Sequence, residues 1–324
     1  MNLRQVSSFL AVVEEGSFTR AARRMLITQP SLSQQIRALE SELGGELIER
    51  LPRGVRLTPA GRAFLPDAQA AVRASERAAT AARLALGLEA GELEVATLLS
   101  MAVGILPQAI TRWHDRHPEI GVRVQEYTHP NLLEQDVRAG VGDIAFGPTP
   151  LAWEDEGPVV QLGWEEMVVV LPSDDPLAGR RKIPLAALRD RSWILFKEGH
   201  GLMEAVDSAC DQAGFQPRAA IRTTQVAAAV RLASEGLGIV MVPDNVAPPD
   251  LASASLDPPV VREISAYSRS EWSPLSSAFL EALRAVGWKR RPRGPAIIVE
   301  RGRAYTATGS ADRAARVKAA SARA

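Results

Sequence analysis

Cysteine is almost missing from this chain. Cys210 is the only one in 324 residues, which excludes an intrachain disulfide, a cysteine-rich zinc site and a redox pair within one chain. It shares the apolar side of a helix with Val206 and reads as a buried thiol, because reactive thiols need an exposed, electropositive setting. Histidine is scarce too, at four. His114 and His117 stand at i, i+3 without a cysteine or third histidine nearby, the pattern of a solvated helix face rather than a metal pair. No apolar run reaches about eighteen residues, and Met1 opens directly on a polar amphipathic segment, so neither a membrane span nor a secretion signal is expected and a cytoplasmic location is. Nucleophile-elbow, Walker and zinc-protease signatures are lacking. Gly236-Leu237-Gly238 precedes a strand instead of opening a helix after one, which excludes a dinucleotide turn. The expectation is a protein without catalysis, cofactor or metal.

Net charge is also absent, with 38 basic and 38 acidic residues, but the balance hides an asymmetry. Residues 1–65 carry nine Arg against six Glu, and residues 289–324 carry ten Lys plus Arg against two acids. The centre is acidic. Basic ends on an acidic body suit a phosphate-binding reader attached to a part that phosphate repels. A net of +3 on the first 65 residues is modest, so strong DNA affinity would need several copies.

Between Ser17 and Leu43, SFTRAARRMLITQPSLSQQIRALESEL reads as two short amphipathic helices around a tight break. In the second, Leu32, Ile36, Leu39 and Leu43 form one stripe, with Ser31, Ser33, Gln34 and Arg37 on the other side. Thr28 suits its cap, and Pro30 its first turn. An outward face of Ser, Gln and Arg offers the donors and acceptors that match base edges in a DNA major groove; an ordinary surface helix is the competing reading. Residues 2–14 supply a further helix with Val6, Phe9, Leu10 and Val13 inward, enough to close a small three-helix core. Leu47, Ile48 and Leu51 then lead into a Pro-Arg-Gly turn, and Val55-Arg56-Leu57 returns as a second strand. Arg50, Arg53 and Arg56 fall on this hairpin wing.

FLAVVEEGSFTRAA, TQPSLSQQIRALESELG and LIERLPRGVRLTPAG follow one another almost without interruption from Leu3 to Gly61. In length, order and spacing this block resembles the LysR-type transcriptional regulators. The resemblance implies a winged helix-turn-helix at 1–58 in which Thr28, Gln29, Pro30, Ser31, Ser33, Gln34 and Arg37 meet the major groove while Arg50, Arg53 and Arg56 approach the flanking backbone. Gln34 stands where many relatives carry Arg, which leaves the base preference at that contact open.

Residues 59–90 form a linker helix and hinge. Thr58 and Pro59 open the helix, Pro66 is expected to kink it, and Ala60, Phe64, Ala68, Ala71, Ser75, Ala78, Ala82 and Ala85 recur as a small-residue seam suited to a partner helix. In the resembled family this helix joins two subunits. Beyond a hinge at 87–91, β-α-β-α-β order over about 91–160 is repeated over about 163–266, predicting two α/β lobes with mostly parallel sheets and a cleft between them. A single helix is expected from Ser100 through Trp113. VGDIAFG, VVVLPSDDPLA, AGF at 213–215 and EGLGIVMVP resemble, more loosely, the effector domain of the same family, which is similar to periplasmic solute-binding proteins. The expected effector domain is 91–290, with one lobe at 91–162 and 267–290 and the other at 163–266. Residues 291–324, rich in Pro, Gly, Ala, Arg and Ser, read as a basic, mostly disordered tail with a candidate electrostatic role on DNA.

Ligands of such sheets sit beyond the carboxyl ends of strands, where helix N-termini point N–H groups inward. Those places are Ser100-Met101, Thr128, Pro148-Thr149, His200 after Phe196, and Thr224-Gln225, and the resemblance puts effector contacts at similar positions. For Ser100 a plain helix cap is the alternative. Some relatives that bind aromatic carboxylates carry Arg where Pro148 stands, so an anionic effector would rely here on Ser100, backbone amides and His200. Phe146, Met101, Phe196 and Met203 are candidates for an apolar wall. The resulting expectation is a homotetrameric regulator that binds a promoter inverted repeat in double-stranded DNA, controls nearby genes in response to a small molecule, and has RNA polymerase as a candidate partner. An architectural DNA binder without effector control and a cytoplasmic solute-binding protein are the competing readings.

Overall fold

The computed structural model describes residues 1–51, 54–85, 91–151, 153, 156–300 and 303–307. They divide into two compact units, Met1–Gly91 with Asp136–Val141, and Glu92–Gln135 with Gly142–Ala324. In the first, α1 (Leu3–Glu15) starts on a reciprocal capping box between Asn2 and Gln5 and stops at Gly16, whose φ of 60° suits glycine. Ser17 caps α2 (Phe18–Arg24), and Thr28 caps α3 (Gln29–Leu43) by accepting the Ser31 N–H at 3.4 Å. Val6, Phe9, Val12, Ala21, Leu32, Ile36 and Leu39 form the core these helices share. The wing is an antiparallel pair, β1 (Ile48–Leu51) and β2 (Gly54–Leu57), tied to α3 because Glu40 accepts the N–H groups of Leu47 and Ile48. Arg53 lies outside the described residues, as do 87–90 of the expected hinge.

From Thr58, whose hydroxyl accepts the Gly61 N–H at 3.0 Å, α4 (Pro59–Ala85) runs on through Pro66. Gly61 lies so close to the Leu47 backbone that a Cβ there would stand 2.0 Å from its carbonyl oxygen. Phe64 and Ala68 turn into the reader core, with the Phe64 ring edge-on to Phe9 at 5.3 Å. Ala71, Ser75, Ala78 and Ala82 are exposed.

The second unit opens with β3 (Glu92–Leu98), α5 (Leu99–Gly104), α6 (Leu106–His114), β4 (Gly121–Tyr127), α7 (Pro130–Arg138) and β5 (Ile144–Pro148). Then come β6 (Val159–Val170), β7 (Lys182–Pro184), β8 (Ser192–Phe196), α8 (Gly201–Gln212), β9 (Arg218–Thr223), α9 (Val226–Ser234) and β10 (Val240–Pro243). Last are β11 (Ser253–Tyr267), α10 (Pro274–Arg284), β12 (Ala296–Glu300) and β13 (Arg303–Ala307). One sheet runs in the order β10-β6-β11-β5-β3-β4, with β7 and β12 also on β11 and β13 on β12; β8 and β9 pair in parallel and touch it through a bridge from Trp193 to Ile239. The long antiparallel strands β6 and β11 pass from one lobe to the other, so two lobes share a single sheet. In the first lobe β4, β3 and β5 are parallel and Leu93, Val95, Met101, Trp113, Phe146 and Phe279 are buried. The second lobe is built on Met167 to Leu171, Trp193 to Phe196, Val206, Ile239 to Val242 and Leu256.

Three expectations need correction. The helix expected from Ser100 to Trp113 is two helices broken at Gly104–Ile105, because the Pro107 ring cannot accommodate the Val103 carbonyl one turn back. Antiparallel pairing of β6 with both β10 and β11 makes the sheet mixed rather than mostly parallel. Most consequentially, residues 296–300 and 303–307, which fall in the expected disordered tail, form the strands β12 and β13. The run Ala296-Ile297-Ile298-Val299 buries all four side chains, and β-branched residues at that density form strand wherever an edge is open to them.

Candidate DNA interface and effector site

On α3 the side chains of Thr28, Gln29, Pro30, Gln34 and Arg37 are exposed and Ser31 is half-buried, giving one polar face at the helix's N-terminal half. Ser33 departs from the outward position that its place off the apolar stripe suggested. It is only 3% exposed, and its hydroxyl accepts from Gln29 Nε2 at 3.0 Å. One turn separates the two residues, so Ser33 holds Gln29 in place instead of reaching outward itself. Arg37 Nε donates to the Ser33 carbonyl at 3.3 Å. On the wing, the Arg50 guanidinium stacks over the Phe18 ring at 4.2 Å, and Arg56 makes two bonds to Glu49 at 2.7 and 3.0 Å. Exposed pairs of this kind are weak, so a phosphate competes for Arg56 at little cost.

In the second unit Ser100 is buried at 2% exposure and is not a cap: Leu98 holds the N-cap position of α5. Ser100 Oγ instead accepts from Arg262 Nη2 at 3.2 Å, which leaves its own proton available to a further acceptor. Arg262 on β11 faces Glu165 on β6 in register, with Nε at 2.5 Å from the carboxylate, and Asn245 donates to the other carboxylate oxygen at 2.7 Å. The Asn245 side chain in turn abuts Gly104, where a Cβ would stand 1.9 Å from its oxygen. Both ions of the pair are buried. The low dielectric is tolerable only because charge and hydrogen bonds are matched.

His200 caps α8, its Nδ1 accepting the Leu202 N–H at 3.1 Å, and its ring stacks on Phe196 at 4.7 Å. The neutral ring therefore carries its proton on Nε2, which is buried with no partner in good hydrogen-bond geometry, only the Thr224 backbone lying near it. Burial pushes its pKa down to about 4; the Arg262 and His129 charges act in the same direction and the Thr224 backbone opposes them. Across from it, the Gly201 N–H donates to the Thr128 carbonyl at 2.9 Å and His129 Nε2 meets Glu204 at 2.9 Å, joining the lobes. Ser100, Thr128, His200 and their neighbours thus gather where the lobes meet.

Other expected contacts are engaged differently. Met101 and Phe196 are fully buried. Pro148 pairs with Ile264, and Thr149 is bonded along β11, its hydroxyl 2.8 Å from Ser265 and 3.3 Å from Glu263. Thr224 is half-buried and Gln225 exposed. Arg262, Glu165, Asn245 and Gly201 were not anticipated from sequence. The available signal was Arg262 itself, a cation beside Glu263 in the otherwise uncharged run VVREISA.

Two family models match the chain. One, described as a bacterial regulatory helix-turn-helix protein of the lysR family, covers residues 3–62, and the other, the LysR substrate binding domain, covers residues 86–288. The chain belongs to the LysR family of transcriptional regulators. As a LysR-type regulator it combines a DNA-binding helix-turn-helix with an effector-binding α/β domain. It is 35% identical over 252 residues to a probable hydrogen peroxide-inducible genes activator of Mycobacterium leprae, covering 77% of this chain and 80% of the relative. It is 30% identical over 296 residues to the regulator BudR of Raoultella terrigena, covering 90% and 96%. Full-length CbnR complexed with its target DNA has the same fold, with a TM-score of 0.63, 28% identity and coverage of 88% of this chain and 99% of CbnR. Among the described residues of this LysR-type regulator no helix is long and apolar enough to cross a membrane.

Proposed function

We propose that this regulator reads a promoter inverted repeat through the exposed face of α3, with Gln29, Gln34 and Arg37 at base edges, Thr28, Pro30 and Ser31 at their margin, and Arg50 and Arg56 on phosphates. The bare seam of α4 supports pairing of two chains, and a dimer of dimers would supply the phosphate contacts that one modestly charged reader lacks. A small-molecule effector would enter between the lobes and contact Ser100 and His200. The single observation that carries this reading is the pair of buried donors: a Ser100 proton left over after Arg262 takes the hydroxyl's lone pair, and a His200 Nε2–H with no acceptor in good hydrogen-bond geometry, only the Thr224 backbone nearby. Buried donors of this kind ask for a ligand oxygen. Action in the cytoplasm on genes near its own, with RNA polymerase as a further partner, completes the proposal.

Peroxide sensing, the role named for the mycobacterial relative, is not favoured here. Burial, followed by the Asp207 and Asp211 charges, pushes the Cys210 thiol up to about 12, so almost no thiolate is present for oxidation.

The tests separate the two halves. Gln29→Ala and Arg37→Ala should each weaken specific promoter binding by about 1–3 kcal/mol at fixed salt without unfolding the chain, and unchanged affinity would overturn the assignment of that face. Ser100→Val should leave promoter binding intact and abolish the response of a reporter to its inducing condition. A surviving response would put the effector elsewhere.

A further inference from the structure

The chain connects its lobes a third time. α10 belongs to the first lobe, where Phe279 meets Trp113 edge-on at 6.1 Å and Ser276 donates to the Asp143 carbonyl at 3.1 Å. Among the described residues up to this point only β6 and β11 pass between lobes. Immediately after α10, Lys289 exchanges two backbone hydrogen bonds with Trp164 of β6, at 3.0 and 3.2 Å. Its ammonium bridges Glu166 and Asp244 at 2.6 and 2.8 Å, and the Arg291 guanidinium lies 5.6 Å from the centre of the Trp164 ring.

Beyond an exposed Arg293-Gly294-Pro295 turn, β12 lies parallel to β11 at Val260 and Val261. One face of β12, Ala296 and Ile298, clusters with Trp164 and Val261. Its other face, Ile297 and Val299, enters the core of the second lobe. The two crossing strands are thereby gripped on both outer edges by one continuous segment, rooted in the first lobe and buried in the second. The match to the LysR substrate binding domain ends at residue 288, where this segment begins.

We propose that residues 289–300 act as a stay across the hinge, restraining the rotation of one lobe against the other. Two antiparallel strands twist and bend readily. A third strand anchored at both ends must stretch, unpair or expel Ile297 and Val299 before the lobes can move far. The stay sets how much lobe movement an effector has to drive.

The experiment needs no effector. Leu132 and Leu237, each 49% exposed and one in each lobe, are changed to cysteine and spin-labelled in the full chain, where buried Cys210 stays unlabelled. A protease site is inserted between Arg293 and Gly294, so cleavage severs the tie while the hairpin keeps its packing. Cleavage should widen the interlobe distance distribution about two-fold with the thermal transition retained, and a Lys289→Ala/Arg291→Ala chain, uncut, should widen it by less. Equal widths in the intact, cleaved and doubly substituted chains would overturn the proposal.

Discussion

Leu26 holds a left-handed backbone, with φ at 55°, in the break between α2 and α3, and it is 92% exposed. It incurs the steric strain of that conformation without packing in return. Leu26→Asn should therefore stabilise the reader by about 1 kcal/mol, seen as a higher midpoint of its unfolding transition. His200 gives a second prediction at this scale. Unfolded, its imidazole takes a proton near 6.5; folded, only near 4. Between those values the unfolded chain binds more protons, so the stability contributed by burying it neutral is complete above about pH 6.5 and is lost as pH falls towards 4. The loss between pH 7 and pH 5 should be about 2 kcal/mol by denaturant titration, and His200→Gln should flatten that slope. Ser33 marks the limit of stripe reasoning at single residues. Its position on the helical wheel is polar, but Gln29 one turn earlier folds over it.

At the scale of elements, the reader was legible because each helix carries its own punctuation: Asn2, Ser17 and Thr28 at the starts, Gly16 and Gly44 at two of the ends. β11 was not. Asp257-Pro258-Pro259 in its middle looks like a loop, and the ladder does shift register between Ser255 and Val260, yet the strand resumes. Missing β11 hid Arg262, and with it the partner of Glu165 and the reason Ser100 is not a cap. β12 was missed because its neighbours, rich in Pro, Gly and Arg, outweighed four apolar residues. Where α4 meets the wing, contact is tight enough to test: Gly61→Ala forces a methyl onto the Leu47 carbonyl. It should destabilise the reader by about 1–3 kcal/mol, read as a lower denaturation midpoint with loss of DNA binding near it.

For the whole molecule, Glu165 and Arg262 form a buried rung between the two strands that both lobes share, and Ser100 hangs from one end of it. Glu165→Gln leaves the guanidinium buried and unmatched and should cost about 3–5 kcal/mol in calorimetry of the full chain. The acidic centre and basic ends seen in the composition acquire a structural sense as well. The basic C-terminal stretch is in part the segment that grips the hinge, with Lys289 and Arg291 spent on Glu166, Asp244 and Trp164.

Gly201, the first residue of α8, has Pro130 so close that a Cβ would stand 2.8 Å from the proline ring. A hydrogen atom is all that the joint between the lobes admits there. Any larger side chain is a doorstop, holding the lobes ajar whether or not a small molecule is bound. Gly201→Val thus separates lobe position from ligand chemistry: its promoter output, compared with that of the unaltered chain, reports which state of the switch an open cleft represents.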